Sequence, residues 1–390
     1  MTSAAATVSF YIHIPFCRTK CTYCAFNAYA NLDALIEPFV DALVREIEML
    51  GRSKPGQAVG TIFFGGGTPS LLTPEQVQYI LDTVGRFFTI LPDAEISLEA
   101  NPNDLDTPYL KALRGVGVNR LSIGMQSANA NELTLFARRH DNDAVAQAVS
   151  SARQAGFDNV NLDLIYGFPH QTLDSWRTSL NQMLALQPEH VSLYALGLES
   201  GTPMKEWVDR GRLPTPDDDL AADMYDLATE VLEAAGYEQY EISNWSKPGR
   251  ACRHNLQYWR NLPYVGVGPG AHGYADGVRY STLLSPQRYI QAMQTSQTEY
   301  AFPRTPATLE AVVVDRENEI AETLITGLRL IQEGIGRDAF RRRFDVDLLD
   351  IHGETIRHYQ QYGLLYADDT VVRLTRQGRL LSNMIFRELV

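Results

Sequence analysis

The sequence is poor in cysteine, with four in 390 residues, and three of them, Cys17, Cys21 and Cys24, fall within eight positions. With the fourth far away at Cys252 they make a poor disulfide framework, which points to a reducing, cytoplasmic setting. Long apolar runs are missing as well: nothing approaches 18 residues, so no ordinary transmembrane segment is expected. The opening MTSAAATVSFYIHI has no basic stretch leading into a long apolar one, so no secretory signal is read. Positive charge is in short supply, with 34 Lys and Arg against 47 Asp and Glu and a formal net charge of −13. That balance argues against a dedicated nucleic-acid binder, and no nucleic-acid partner is expected. The glycine-rich run GGGTPS (65–70) lacks the GK[ST] of a phosphate loop, which argues against nucleoside triphosphates. Internal repeats and low-complexity segments are absent too.

What is present suits an α/β protein. A hydrophobic content of 45% allows a large core, and the length suggests two domains or one barrel with an appendage. Through the first 240 residues, β-rich runs alternate with amphipathic stretches. Strands are predicted at VSFYIHI (8–14), GTIFF (60–64), EISLEA (95–100), NRLSIG (119–124), VNLDLI (160–165) and HVSLYAL (190–196). Residues 34–50 carry apolar positions at helical spacing, and a second helix is predicted from Pro74 behind the cap Thr73. Six β/α units have the rhythm of a parallel sheet or a partial (β/α)6 barrel. The core is therefore expected over residues 1–240. A loop-rich extension is expected over 241–310, where residues 243–277 are dense in Gly, Asn and aromatics. Helical patterns from about 316, followed by the hairpin-like LLYADDTVVRLT (364–375), point to a small, mainly helical C-terminal domain of winged-helix type over 311–390.

Polar residues gather in one register of this pattern. The cysteines follow the first strand and Gly65, Gly66 and Gly67 the second, while Glu99, Gln126 and Asp163 lie at or near the ends of the next three. In a (β/α) barrel the carboxyl ends of the strands build the site. Three thiolates at C-x3-C-x2-C suit an iron–sulfur cluster with one iron left open. Two alternatives stay open: a zinc site completed by His13 or a more distant residue, and cysteines buried on one helix face.

The cysteine motif after a first strand, with GGGTPS after the second, resembles the radical S-adenosylmethionine (SAM) superfamily. That resemblance implies a partial radical-SAM barrel, a [4Fe–4S] cluster on Cys17, Cys21 and Cys24, and SAM chelating the open iron. It also implies reductive cleavage of SAM to a 5′-deoxyadenosyl radical, chemistry that belongs to the cofactor. YIHIPFC, TIFFGGGTPSLL, EANP, RLSIGMQS, NLDLIYGFPHQT and YEISNWSKPG further resemble the oxygen-independent coproporphyrinogen III oxidase group. By that likeness Tyr11, Tyr23, Gly66, Gly67, Thr68, Glu99, Gln126, Arg138 and Asp163 fall on SAM-contacting positions. The sequence departs from the oxidases at Phe26, where they carry a fourth cysteine, and in a shorter stretch before Cys17. HNLQYW (254–259) matches instead the HNxxYW motif of a sister group of haem chaperones, HemW. That branch implies haem as cargo, with His254 as candidate iron ligand, Tyr258 and Trp259 as candidate stacking residues, and no assigned catalytic residue. Haem-acceptor proteins such as respiratory membrane enzymes and an electron donor such as a flavoprotein are the implied partners. Cys252 reads as a small buried residue. The alternative function is oxidative decarboxylation of coproporphyrinogen III.

Overall fold

The structure, a computed structural model, describes residues 7–296 and 298–389. The chain divides into two compact units, one made of the residues up to Val231 together with Pro263–Val313, the other of Leu232–Leu262 and Val314 onward.

The first unit opens with β1 (Val8–Ile14), a small pair β2 (Phe16–Cys17) and β3 (Tyr29–Ala30), and then β4 (Ala58–Gly66), β5 (Thr89–Ala100), β6 (Arg120–Gln126), β7 (Val160–Tyr166) and β8 (His190–Ala195). All six predicted strands are present. β1 and β4 to β8 are parallel in sequence order. Parallel strands covered on both faces read as near-continuous apolar runs, which is why VSFYIHI is buried at six of seven positions. The first helix, Ile36–Ser53, buries Phe39, Leu43, Ile47 and Leu50 on one stripe. Thr73 caps the second, Pro74–Phe87: its Oγ1 accepts from Gln76 N at 3.3 Å, and its own N–H donates to Gln76 Oε1 at 3.0 Å.

Residues 243–277, expected as ordered loops, carry regular structure. A hairpin of β9 (Glu238–Glu241) and β10 (Asn244–Ser246) and the helix Arg253–Trp259 belong to the second unit. The chain then returns to the first unit. There β11 (Tyr264–Val267) lies parallel to β1, and β12 (His272–Ala275), β13 (Val278–Thr282) and β14 (Thr308–Val313) extend the sheet antiparallel, with β14 at its edge. Four-residue strands set between Gly and Pro carry too little periodicity to stand out; the pairing partner supplies what the local sequence lacks.

The second unit adds helices Arg316–Gly327, Arg337–Phe344 and Leu348–Gln361, close to the predicted segments, and a three-stranded sheet of β15 (Ile335–Gly336), β16 (Leu365–Ala367) and β17 (Val371–Leu374) in the order β15-β17-β16. Its core includes Leu324, Phe340, Phe344, Ile356, Leu374 and Ile385. Helices and a small antiparallel sheet thus make up this region, which is mainly helical.

Candidate functional site

Strand register puts one set of polar side chains on one face of the parallel sheet. Tyr11 pairs with Phe63, Phe63 with Ser97, Glu99 with Ser122, and Gly124 with Asp163. Directly paired residues share a face, as do residues two apart, so Tyr11, Glu99 and Asp163 point the same way. Along otherwise buried strands, Tyr11, Phe63, Glu99, Gln126 and Asp163 keep partial exposure, so this inner face borders open space. Asp163 and Tyr11 project from mid-strand rather than from the rim.

The carboxyl ends of the strands carry the loops. Cys17 ends β2, and pairing of β2 with β3 closes the cysteine loop. Thr22 pins that loop, its N–H donating to Phe136 O at 3.3 Å and its Oγ1 to Leu135 O at 2.7 Å. Thr68 Oγ1 donates to Cys17 Sγ and Arg138 Nη1 to Cys21 Sγ, each at 3.4 Å. All three cysteines are half-exposed, unlike the buried Cys252, which removes the buried-core alternative. His13 Nε2 donates to Asn27 O at 2.9 Å, so Nδ1 accepts from Tyr11 Oη, also at 2.9 Å. With both ring nitrogens engaged, His13 completes no zinc site. Among the described residues, no group of three His, Cys, Asp or Glu side chains is gathered to hold a metal ion.

The glycines earn their place by packing inside the chain. A Cβ on Gly67 would lie 2.6 Å from Phe16 O, and one on Gly66, at φ +112°, would lie 2.5 Å from the His13 ring. Gln126 sits at φ +65° at a register shift in β6 and folds its amide back over Gly124, where a Cβ would stand 2.8 Å from Nε2. Arg138 Nη2 donates to Gly124 O at 2.9 Å, and its buried Nε has no hydrogen-bond partner. Tyr23 packs edge-on against Phe136.

Beneath these residues lies a network the sequence reading missed. Asp163 Oδ1 accepts from Asn161 Nδ2 at 2.7 Å and Oδ2 from Ser122 Oγ at 3.3 Å. Asn161 Oδ1 accepts from His190 Nδ1 at 2.6 Å and from Ser192 Oγ at 3.1 Å. The alternation N-x-D in β7 was the available signal. Burial, and next the charge of Asp163, push the Glu99 carboxyl up to about 8, against a bond from Gly66 N at 3.0 Å; burial also raises Asp163. A positively charged ligand beside these two carboxyls would draw both back to the charged form, so the pair suits a cation. A carboxyl raised on folding contributes stability that is present below its ordinary value near 4.5 and lost as pH rises through 8. Glu99→Gln is therefore expected to raise the melting temperature of cofactor-free protein at pH 8–9, by on the order of 1–2 kcal/mol of stability, with little gain near pH 5. A melting curve unchanged across that range would refute it.

The Radical SAM superfamily model matches residues 11–183, and the HemN C-terminal domain model matches 314–381. Over 381 residues the chain is 37% identical to "Heme chaperone HemW" of Bacillus subtilis (strain 168), covering 97% of this chain and 98% of that protein. The chain belongs to the HemW family of radical SAM proteins. The HemW of Synechocystis sp. is 40% identical over 326 residues, 82% of this chain and 77% of that one. Coproporphyrinogen III oxidase (HemN) from Escherichia coli shares the fold, with a TM-score of 0.85 at 24% identity over 98% of this chain and 90% of that one.

A radical SAM protein takes a [4Fe–4S] cluster and SAM, and the site fits both. It offers three accessible thiols with donors at two of them, a carboxylate pair suited to a sulfonium and an ammonium, and an unpartnered guanidinium N–H suited to a carboxylate. In the HemW-type hexapeptide HNLQYW, the structure forms a helix in the second unit. His254 is buried there, its Nε2 2.8 Å from Tyr258 Oη, and the Arg329 guanidinium covers the Trp259 ring at 4.4 Å. Phe26 is 67% exposed in the cysteine loop.

Proposed function

We propose that the chain is a haem chaperone, one that binds haem and hands it to acceptor proteins while carrying a SAM-ligated [4Fe–4S] cluster. The observation that carries this reading is the likeness to HemW haem chaperones over nearly the whole length of both chains. Cys17, Cys21 and Cys24 are assigned to the cluster. Glu99, Gln126 and Asp163 are assigned to the ribose and amino groups of SAM, and Arg138 to its carboxylate. Gly66, Gly67 and Thr68 line the methionyl end, with Tyr11 and Tyr23 against the nucleoside. When bound, the cluster supplies a low-potential electron to the sulfonium. The chain's own part is to fix Asp163 through Asn161, to hold Glu99 through Gly66 N, and to cover two of the thiolates with Thr68 and Arg138.

The acceptors would be respiratory membrane enzymes and the electron donor a flavoprotein, with the protein acting in the cytoplasm. No described helix is long and apolar enough to cross a membrane. The test is a haem titration and a coproporphyrinogen III assay with SAM and reductant, run on one anaerobically reconstituted preparation. Stoichiometric haem binding without decarboxylation supports the chaperone. Decarboxylation without haem binding would return the protein to the oxidase reading, which the shared fold with HemN favours and Phe26 opposes.

His254 bears on the same test. Buried and bonded to Tyr258, it reaches haem iron only by leaving its pocket. His254→Ala is therefore expected to cost about 1–3 kcal/mol of stability, read as a lower denaturant midpoint. Unchanged stability with abolished haem binding would instead assign it to the iron.

A further inference from the structure

A haem site built on histidine needs an imidazole that solvent can reach, and a surface that accepts a flat apolar ring bearing carboxylates. His13, His140, His190 and His254 are all buried. His170 and His358 are exposed and His352 is partly exposed, but the first sits at a loop apex and the other two on a helix of the second unit. His272 is different: it is exposed, and it begins β12 on the sheet that carries the cofactor site.

The direction of its side chain follows from register. His272 pairs with Ser281, Gly273 with Tyr280 and Tyr274 with Arg279. Tyr264 of β11 pairs with Ser9 on one side and with Tyr274 on the other, so Tyr274 shares the face of Tyr11, and Tyr280, opposite Gly273, stands on the outer face. His272 and Ser281, one residue along on each strand, therefore face the other way. So do Tyr274 and Arg279, and their side chains meet with the guanidinium 4.6 Å from the ring centre. β14 continues the same face with Glu310, opposite Ser281, and Val312, opposite Arg279, the latter 65% exposed.

This face joins the cofactor site. β11 is hydrogen-bonded between β1 and β12, with Gly266 paired to Tyr11 and its Cα packed so close to β12 that a Cβ would lie 1.8 Å from His272 O. The loop 268–271 that leads into His272 is tied to the cysteine loop, Asn27 Nδ2 donating to Pro269 O at 2.8 Å. His272 is also near enough for its charge to disfavour a charge on His13.

We infer that the inner face of β12 to β14 is the haem seat, with His272 as ligand to the iron, Arg279 receiving a propionate carboxylate and Val312 lying under the ring. The assignment rests on the haem reading above and deepens it. An imidazole suits haem iron, and a guanidinium already levelled on an aromatic ring presents its edge to a carboxylate. It also places the haem beside the SAM pocket on one continuous sheet.

The test titrates ferric haem into the reconstituted full chain, followed by absorbance and by electron paramagnetic resonance. His272→Ala is expected to weaken haem about tenfold or more and to lose the imidazole-ligated spectrum. In His272→Gly, added free imidazole should restore that spectrum. Arg279→Gln is expected to weaken haem several-fold with the iron spectrum unchanged. Iron content and SAM binding should stay at the parent level in all three. Parent protein that binds haem with variants that match it in affinity and spectrum would overturn the inference and leave the chaperone reading standing. Variants that keep haem but change the sedimentation of the chain would assign the face to a protein partner and overturn it as well. Parent protein that binds no haem would overturn both.

Discussion

Cys21→Ala is expected to abolish the cluster without unfolding the protein. Iron should fall from about four per chain to a fraction of one if the three thiolates are, as proposed, the cluster's protein ligands. SAM affinity should fall about a hundredfold with it, since in the proposed site SAM would be held by the cluster as well as by the protein. Folding should survive, because the cysteine loop is held by other bonds. Thr22 is tied to Phe136 and Leu135, Tyr29 N donates to Pro15 O at 2.8 Å, and β2 pairs with β3. The checks are iron and sulfide analysis, a SAM titration and a melting curve on the same sample. Retention of full iron by the variant would remove Cys21 from the ligand set. An unfolded variant would mean that the Arg138 contact to Cys21 matters more for stability than the pinning of Thr22.

Glu46→Ala is expected to cost about 3–5 kcal/mol of stability, the scale on which breaking a buried charged group's bonds is felt. Glu46 is buried, and its carboxylate accepts from Gly268 N at 2.9 Å, Tyr289 Oη at 2.6 Å and Thr305 Oγ1 at 2.8 Å. Burial raises its pKa, and these three bonds oppose the rise. Removing the side chain strands three donors in the interior and frees the loop 268–271, which closes over His13 and holds Asn27. The variant should therefore show a lower denaturant midpoint and a weakened cluster even where it folds. Glu46→Gln keeps the shape and should recover part of the loss. Parental stability in Glu46→Ala would mean that water replaces the carboxylate at little cost.

Much of this was legible in the chain. Six strands were readable because each is a short run rich in apolar and β-branched residues set between helical stretches, and Thr73 with Pro74 announced a helix by hydrogen-bond chemistry alone. The cysteine spacing named its chemistry, since thiolates that close together need a shared partner. Other features had no local signature. β11 is YVGV between Pro and Gly, and it is a strand because β1 offers an edge beside it. Asn161 and His190 looked like ordinary strand residues until register set them under Asp163. The motif made His254 a candidate ligand, and only the structure shows the helical turn that brings Tyr258 onto its ring nitrogen.

The sequence by itself determined the cysteine loop, the glycine turn and the order of the β/α units, because these depend on residues close together in the chain. Only the tertiary structure decided which side chains share a face. That property belongs to register between strands tens or hundreds of residues apart, and a shift of one residue would have turned Asp163 or His272 to the opposite side. The raised carboxyl of Glu99 was decided there too, because it comes from burial and from the charge of Asp163 on another strand rather than from its own neighbours in sequence.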